Sequence, residues 1–335
     1  MLIRKNILEF NKKIKPNHYQ TKMIATKKKF LKFIKNKKNI KIIHADKGNA
    51  TVLINKTHEK KMIKNHISDS LKLKNIRIIN TKKPLDIRRY HQIVTQRTIQ
   101  TTKDIIRRKT ILKLKNGHET YQQRLDATFQ KYRNMKWEQA IPVFIATVKI
   151  HKKPMKIRPI IAKNNTAAIT LGHIILDILN HTSGHFPGKI DNLEARNSQS
   201  VQDNIYSASE KSKLLNIKKI HDNLPIIQYD FATLDVVSMY DNINIYNVLQ
   251  IINELITHNN NQYLINTNEL KELILLDGKD LNYFKAGNKL YRYVKGIPMG
   301  GNTSPYYANL YMTYHISKIY PKLLELGLLL IKNIY

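Results

Sequence analysis

Asp235 and Tyr240 are the residues whose types and spacing first suggest chemistry. Asp235 directly follows a predicted buried strand at residues 225–234, and Tyr240 comes five positions later. Mg²⁺ takes one or two protein carboxylates and leaves its other positions to water and substrate phosphates. A carboxylate at the end of a buried strand could therefore hold a divalent cation, with the Tyr240 ring beside its ligand. The residues also fit a plainer interpretation, in which Asp235 caps a turn and Tyr240 packs in the core.

The elements on either side of Asp235 would hold it in place. Residues 225–234 are rich in β-branched and aromatic residues, which favours a buried strand. Asn244 is a good N-cap. The helix that it begins has an apolar stripe at Ile245, Val248, Leu249, Ile252 and Leu255.

A second segment, residues 295–312, combines glycines with a helix start. Gly296, Gly300 and Gly301 permit a close backbone approach, and Ser304 with Pro305 predicts an N-cap followed by a first-turn proline. We expect this helix to end near Tyr320, because Pro321 follows. Strands at residues 281–285 and 289–294 precede it, joined through Gly287-Asn288 as a hairpin. Such a loop at a helix N-terminus suits a flat ligand edge or a phosphate.

Two strands at residues 141–150 and 157–161 are predicted to flank a basic turn. The cations of this hairpin are Lys149, Lys152, Lys153, Lys156 and Arg158. Together they could clamp a triphosphate or a template backbone. The alternative is an edge hairpin whose lysines oppose aggregation. An amphipathic helix follows at residues 164–181, with Thr166 as its cap and an apolar stripe that belongs to the core.

The N-terminal third is basic and largely helical in pattern. Residues 1–39 suggest one or two lysine-rich helices, and residues 57–135 look mainly helical. Between them, two β-branched runs at residues 39–54 flank the turn Asp46-Lys47-Gly48-Asn49, which predicts a hairpin. Interpreted locally, that turn is structural only.

Charge is distributed unevenly along the 335 residues. The formal net charge is +34, and residues 1–163 carry all of that excess, with 43 Lys and Arg against 9 Asp and Glu. So basic a half repels itself unless a polyanion neutralises it, and nucleic acid is the expected partner. A membrane partner is not expected, because the apolar run at residues 326–331 is too short to span a bilayer. The absence of cysteine excludes disulfides and fits an intracellular protein.

Taken together, the motifs resemble a reverse transcriptase, most closely the enzymes of Penelope-like retroelements. Residues 45–52 resemble that family's N-terminal signature. Residues 149–154 with 158–160 resemble its fingers motifs, and Asn197-Ser198 a pair ahead of the palm. Residues 235–243 are similar to polymerase motif A and residues 296–309 to motif B. The resemblance implies an α+β right-hand polymerase, with a basic N-terminal extension at residues 1–135 and fingers with a partial palm at residues 136–335.

The resemblance also implies roles for individual residues. Asp235 would be the catalytic metal ligand, with the Val236 carbonyl as a second oxygen, in a site for two Mg²⁺ (or Mn²⁺) ions. Tyr240 would exclude a ribose 2′-hydroxyl. Arg158 and Lys149 would contact the incoming dNTP, and Met299 and Gly300 would lie under the nascent base pair. The implied partners are an RNA template and a DNA primer, contacted by cations that include Lys47, Lys152, Lys153 and Lys156, and a nuclear location would be usual for such an enzyme.

The sequence departs from the family at three places. Met299 stands where many reverse transcriptases have Gln, and Tyr293 occupies another position where Gln is expected. No Asp-Asp pair, which completes the family's metal site, occurs anywhere in the sequence. Asp230 would face the opposite side of the strand from Asp235, and Asp241 has no counterpart in the family.

We therefore expect a truncated enzyme with an incomplete palm sheet, no thumb and impaired catalysis. The alternatives are a non-catalytic, basic nucleic-acid-binding protein and an intron maturase-like factor on the same fold.

Overall fold

A computed structural model of the chain has a mixed α/β fold. It describes residues 38–46, 50–79, 84–113, 131–132, 135–150, 152–183, 194–195, 236–258, 265–325 and 332–333, with positions 29, 32, 210, 216–217 and 221–222. The chain divides into two compact units. The first unit comprises Met1–Ser68 and Ala146–Arg158, and the second comprises Asp69–Ile145 and Pro159–Tyr335. The predicted domain boundary at residue 135 stays a prediction.

The first unit contains the predicted N-terminal hairpin. Strands β1 (Ile40–His44) and β2 (Thr51–Asn55) pair antiparallel, so this prediction is confirmed. Helix α1 (Lys56–Lys72) follows at once, and the Asn55 side chain caps it by accepting the Thr57 amide hydrogen at 2.8 Å. The small core of this unit consists of buried residues from the hairpin and from the later strand β4 (Val143–Lys149), namely Ile43, Ile54 and Val148.

A five-stranded sheet has the order β3-β8-β7-β4-β5. Its strands are β3 (Ile76–Ile79), β4 (Val143–Lys149), β5 (Lys156–Ala162), β7 (Tyr283–Ala286) and β8 (Lys289–Tyr293). The expected strands on both sides of the basic turn are present, and β7 and β8 form the expected antiparallel hairpin through Gly287. The β3 strand was not predicted, because its four residues lie in a basic region whose pattern is mainly helical. It pairs antiparallel with β8, more than 200 positions later in the sequence.

Helices supply most of the core of the second unit. Helix α2 (Pro84–Lys113) precedes the sheet strands β4 and β5, and helix α3 (Ala167–Ser183) follows them. The predicted stripe of α3 is confirmed, because Leu171, Ile174 and Ile175 are fully buried. The core also contains residues of helix α5 (Ile245–His258), whose N-cap is Asn244 as predicted: its side chain accepts the Tyr246 amide hydrogen at 3.0 Å.

A short helix and a π-helical turn connect α5 to the β7–β8 hairpin. Helix α6 (Thr267–Leu275) begins with a capping box formed by Asn266 and Glu269, and it continues into the π-helical turn Leu276–Asp280. Helix α6 was not predicted, although an Asn followed three positions later by a Glu is a helix-start signal. Leu270, Leu273 and Ile274 anchor α6 in the core.

The last long helix differs from its predicted length. Helix α7 (Ser304–Glu325) contains Pro321 instead of ending before it, so the predicted end near Tyr320 is wrong. Pro321 is exposed, and the carbonyl oxygen that loses its partner can be solvated. Near the chain end, the two-residue strand β9 (Lys332–Asn333) pairs parallel with β6 (Glu194–Ala195).

Several predictions fall outside the described residues. They are the strand at residues 225–234 with Asp230, the metal ligand Asp235, Lys47 of the N-terminal turn, and the pair Asn197-Ser198.

Candidate functional site

The glycine loop (residues 296–301) is the centre of the candidate site. It connects β8 to α7, and its backbone has positive φ angles at Gly296 (+85°) and Gly300 (+110°). Residues with a side chain rarely adopt these angles, so both positions depend on glycine. Gly296, Ile297 and Pro298 are buried, whereas Gly300 is exposed. The loop thus exposes Gly300 to solvent on a buried support.

The start of the loop contacts the segment that contains Tyr240. A Cβ atom on Gly296 would lie 2.9 Å from the backbone of both Tyr240 and Asp241, so a side chain has no room there. The Ile297 amide donates a hydrogen bond to the Tyr240 carbonyl oxygen at 2.9 Å. The segments that resemble polymerase motifs A and B are therefore joined through their backbones.

The end of the loop contacts Ile161 of β5, the second strand of the basic hairpin. The Ile161 amide donates a hydrogen bond to the Met299 carbonyl oxygen at 2.8 Å. A Cβ atom on Gly300 would lie only 2.3 Å from the Ile161 carbonyl oxygen. Met299 takes part through its backbone, so the side chain at this position, where many reverse transcriptases have Gln, is not required for the contact with β5.

Tyr240 lies in the short helix α4 (Met239–Asn242). Ser238 precedes the helix in a left-handed conformation (φ 51°), and Asn242 donates to the Ser238 carbonyl oxygen at 3.2 Å. The Tyr240 ring is half-buried and packs against the main core. Val236, by contrast, is 48% exposed. The core packing that the plainer interpretation gave to Tyr240 is therefore present, and one part of the ring remains accessible.

A buried polar cluster supports the glycine loop from inside the second unit. The Thr303 hydroxyl donates to Asp277 Oδ2 at 2.6 Å, and the Tyr307 hydroxyl donates to the same atom at 3.3 Å. Lys163 is also buried (3% exposed), and a Cβ atom on Gly301 would lie 3.6 Å from its Nζ. Next to this cluster, the Ser304 hydroxyl donates to the Pro298 carbonyl oxygen at 2.7 Å. Ser304 thus fixes the loop, and it does not serve as the predicted N-cap, because it is already part of α7.

Burial controls the protonation of this cluster. Desolvation lowers the pKa of Lys163, and the charge of Asp277 partly opposes the decrease. Desolvation, together with Asp277, raises the pKa of Tyr307. This cluster was not predicted, since Lys163 and Asp277 are 114 positions apart and no local motif connects them.

Tyr293 stands where the resemblance predicts Gln. Burial, and after it the nearby Asp241 carboxylate, raises the pKa of the Tyr293 hydroxyl. The group therefore stays protonated at neutral pH and can donate a hydrogen bond, as a Gln amide can. The backbone amide of Tyr293 donates a hydrogen bond to the Asn282 carbonyl oxygen at 3.0 Å.

The first unit holds the cations that the sequence analysis singled out. Arg158 forms an ion pair with Asp46, with Nε and Oδ1 2.8 Å apart. Lys149 is half-buried, and the lysines of the basic turn are exposed. These exposed residues are Lys152, Lys153 and Lys156. The Asp46 turn therefore has a charged partner, which the local sequence did not indicate.

No group of three or more His, Asp or Glu side chains suited to a metal occurs among the described residues. Asp277 is buried and already accepts two hydrogen bonds. The two-ion site that the resemblance implies depends on Asp235, which lies outside the described ranges, so we derive no reaction step through a metal.

Within the described part of the chain, no helix is both long and apolar enough to cross a membrane.

Comparison with known proteins gives a weak structural similarity. No protein-family model and no curated protein matches the sequence. Among solved structures, the chain is similar to telomerase from Candida albicans, whose structure contains a TWJ fragment of telomeric RNA. The TM-score is 0.48 and the sequence identity is 10%, over 87% of this chain and 44% of that chain. The chain thus spans less than half the length of this neighbour.

Proposed function

We propose that this chain carries the nucleotide-selecting part of an RNA-directed DNA polymerase. In that reaction the 3′-hydroxyl of a DNA primer attacks a dNTP that pairs with an RNA template, and pyrophosphate leaves. One observation carries the proposal: the glycine loop is hydrogen-bonded at one end to Tyr240 and at the other to Ile161. The segments that resemble polymerase motifs A and B are thus backbone neighbours within the second unit, and the loop also contacts Ile161, which directly follows the segment (residues 158–160) that resembles a fingers motif.

The geometry of the loop suits contact with a base pair. Gly300 is exposed, so a flat base or sugar edge can approach its backbone from solvent. Its lack of a side chain serves the contact with Ile161, whose carbonyl oxygen lies in the Cβ direction. Because the glycine loop is fixed by hydrogen bonds at both ends, little conformational freedom is lost when a ligand binds. Rigid positioning of this kind accounts for most of what a protein contributes to nucleotidyl transfer.

Tyr240 would provide the sugar discrimination. Its ring is supported by the core on one side, so it cannot easily retreat from a ligand on the other. A ribose 2′-hydroxyl directed at a supported ring would clash, whereas a deoxyribose would fit. The exposed cations of the basic turn would contact template or primer phosphates, and the resemblance assigns the triphosphate to Arg158 and Lys149.

The experiment measures how a nucleotide stabilises the complex between the full chain and a poly(rA)–oligo(dT) hybrid. With Mg²⁺ present, we expect dTTP, which matches the template, to prolong the lifetime of the complex, and dGTP to leave it unchanged. Replacing Tyr240 by Ala should reduce the preference for dTTP over UTP by about tenfold or more, the discrimination that one small group provides in a close-fitting pocket. Tyr240→Phe is the matched control and should keep the preference. Equal effects of matched and mismatched nucleotides would refute the proposal.

Primer extension in the same mixtures tests chemistry separately from binding. If dTTP incorporation occurs, Asp235→Ala should abolish it, and Asp230→Ala, five residues earlier, should not. Incorporation that survives Asp235→Ala would contradict the role proposed for Asp235 as metal ligand.

A non-catalytic nucleic-acid-binding protein is the second candidate function. The observation in its favour is the excess of 34 positive charges. Such a protein would bind the hybrid without responding to nucleotides.

The order of the motifs along the sequence supports a retroelement origin of the Penelope-like class, which we propose together with the polymerase function.

A further inference from the structure

We propose that Asp46 is a positioning residue, which orients the Arg158 guanidinium so that it can bind a phosphate group of an incoming nucleoside triphosphate. The inference rests on the proposed function for the identity of that anion. It gives a role to the turn after β1, which the local sequence characterises as structural only. All the contacts that carry it lie in the first unit.

Asp46 is fixed at several points. Its backbone amide donates to the Val148 carbonyl oxygen at 2.9 Å, which ties the turn to β4. Its carboxylate is 3% exposed, and Oδ1 accepts the Arg158 Nε hydrogen at 2.8 Å. The Thr147 hydroxyl donates to the same oxygen at 3.4 Å. A buried carboxylate held in this way has one orientation, and it imposes that orientation on its partner.

Arg158 uses only one side of its guanidinium in this pair. The Nε group contacts Asp46, and the described residues hold no second ion-pair or hydrogen-bond partner of Arg158. The side chain is 38% exposed, so a ligand can reach it from solvent. A guanidinium has five N–H donors in a rigid plane, and the fork of two terminal nitrogens matches the spacing of two phosphate oxygens. The Asp46 contact therefore leaves a phosphate-binding fork in a fixed direction.

The surrounding charge explains why a carboxylate is needed there. Residues 149–158 contain five cations, Lys149, Lys152, Lys153, Lys156 and Arg158, and no acidic residue. Without a counter-charge, Arg158 would be repelled from its neighbours and would sample many rotamers. The contact with Asp46 at Nε keeps the arginine in place before an anion arrives, and an anion then gains from the whole set of cations.

A second ion pair in the same unit serves as a matched control. Lys41 Nζ lies 2.6 Å from Glu59 Oε1, and the Glu59 side chain is 7% exposed. Glu59 is thus also a nearly buried carboxylate paired with a half-exposed cation. Asp46→Asn and Glu59→Gln each remove one negative charge, so simple attraction predicts tighter anion binding by both variants.

The test measures binding of inorganic tripolyphosphate to the full chain by calorimetry. We expect Asp46→Asn to weaken binding by about fivefold or more, the coupling usual for residues in direct contact, although the variant is more positive. Glu59→Gln should bind as well as the wild type. Arg158→Gln should also weaken binding, and adding Asp46→Asn to it should have little further effect, because Asp46 acts through Arg158. The proposal is overturned if Asp46→Asn binds as tightly as the wild type, if Glu59→Gln loses as much, or if the two site variants act independently.

Circular dichroism and thermal unfolding establish that each variant folds. If Asp46→Asn does not fold, Arg158→Lys takes its place: it keeps the charge but lacks the Nε contact and the fork. It should lose as much affinity as Arg158→Gln, and wild-type affinity would overturn the proposal. Tripolyphosphate has no base, sugar or template. Failure of the tripolyphosphate experiment can therefore be distinguished from failure of the matched-nucleotide experiment, because either result can occur without the other.

Discussion

Single residues with unusual backbone or protonation determine how the site is built. Gly300 combines a φ angle of +110° with a Cβ position 2.3 Å from the Ile161 carbonyl oxygen. Gly287, in the β7–β8 turn, also has a positive φ (+58°), but a Cβ atom there would meet nothing within 4 Å. The two glycines therefore separate the cost of backbone strain from the cost of a steric clash.

Replacing Gly300 by Ala should lower the free energy of unfolding by about 3 kcal/mol or more, because strain and clash combine. The control Gly287→Ala should cost about 1–2 kcal/mol, the price of a left-handed conformation alone. Urea unfolding monitored by circular dichroism measures both values. Equal losses in the two variants would mean that the glycine loop relaxes away from Ile161.

His91 is a buried histidine whose protonation couples stability to pH. Nε2 donates to the Gln139 carbonyl oxygen at 2.8 Å, which leaves Nδ1 to accept the Tyr283 hydroxyl at 2.7 Å. Burial lowers the pKa of His91 below its usual 6.5, and the Gln139 carbonyl partly opposes the decrease. The unfolded chain then binds this proton at a higher pH than the folded chain. The stabilisation is complete above pH 6.5 and is lost as the pH falls below that value.

Replacing His91 by Gln should make stability less sensitive to acid. Between about pH 7.5 and about pH 5, the urea midpoint of the variant should fall by less than that of the wild type. His221 is a suitable control, since its side chain is 87% exposed, and His221→Gln should behave as the wild type. An equal fall in the His91 variant and the wild type would show that His91 does not titrate differently in the folded state.

At the scale of elements, the π-helical turn and the start of α7 are joined by the Asp277–Thr303 hydrogen bond. Replacing Thr303 by Val removes the hydroxyl at nearly constant volume and leaves the buried carboxylate with one donor fewer. This should lower the free energy of unfolding by about 1.5–3 kcal/mol, since the acceptor is charged. Thr303→Ser keeps the hydroxyl and should cost about 1 kcal/mol for the lost methyl group. Chemical unfolding distinguishes the two, and similar losses would show that the bond contributes little.

Local patterns predicted the elements well where the stabilising contacts are local. The hairpins at Gly287 and after β1, the N-cap Asn244 and the stripe of α3 follow from turn residues and periodicity, and all four are present. Two failures have tertiary causes. The β3 strand depends on its pairing with β8, and α7 continues through Pro321 because that residue is exposed.

The candidate site was predictable only as separate motifs. The glycines at 296 and 300 signalled a close approach, but not its targets, Tyr240 and Ile161. The buried Lys163 and Asp277 gave no signal, because isolated charged residues are usually solvated. The partner of Arg158 was similarly hidden, since Asp46 looks like an ordinary turn residue.

At the scale of the whole molecule, charge is the dominant property. The segments of the first unit contain 24 Lys and Arg against 3 Asp and Glu, a net charge of +21. If this charge contacts phosphates, raising the salt from about 50 to about 200 mM should weaken binding to an RNA–DNA hybrid by about 10³-fold or more. Fluorescence anisotropy across a salt series measures this slope. A flat response would contradict phosphate contacts by the basic unit.

The amine of Lys163 offers a further use of the buried cluster. An acylating ester should modify the exposed Lys152 and Lys153 quickly. Lys163 is buried next to Gly301, so we expect it to react only when the loop opens locally. Mass spectrometry of the peptide that contains Lys163 therefore measures the rate of loop opening. A base pair bound on the loop should slow the acylation of Lys163, whereas a base pair bound elsewhere should leave its rate unchanged.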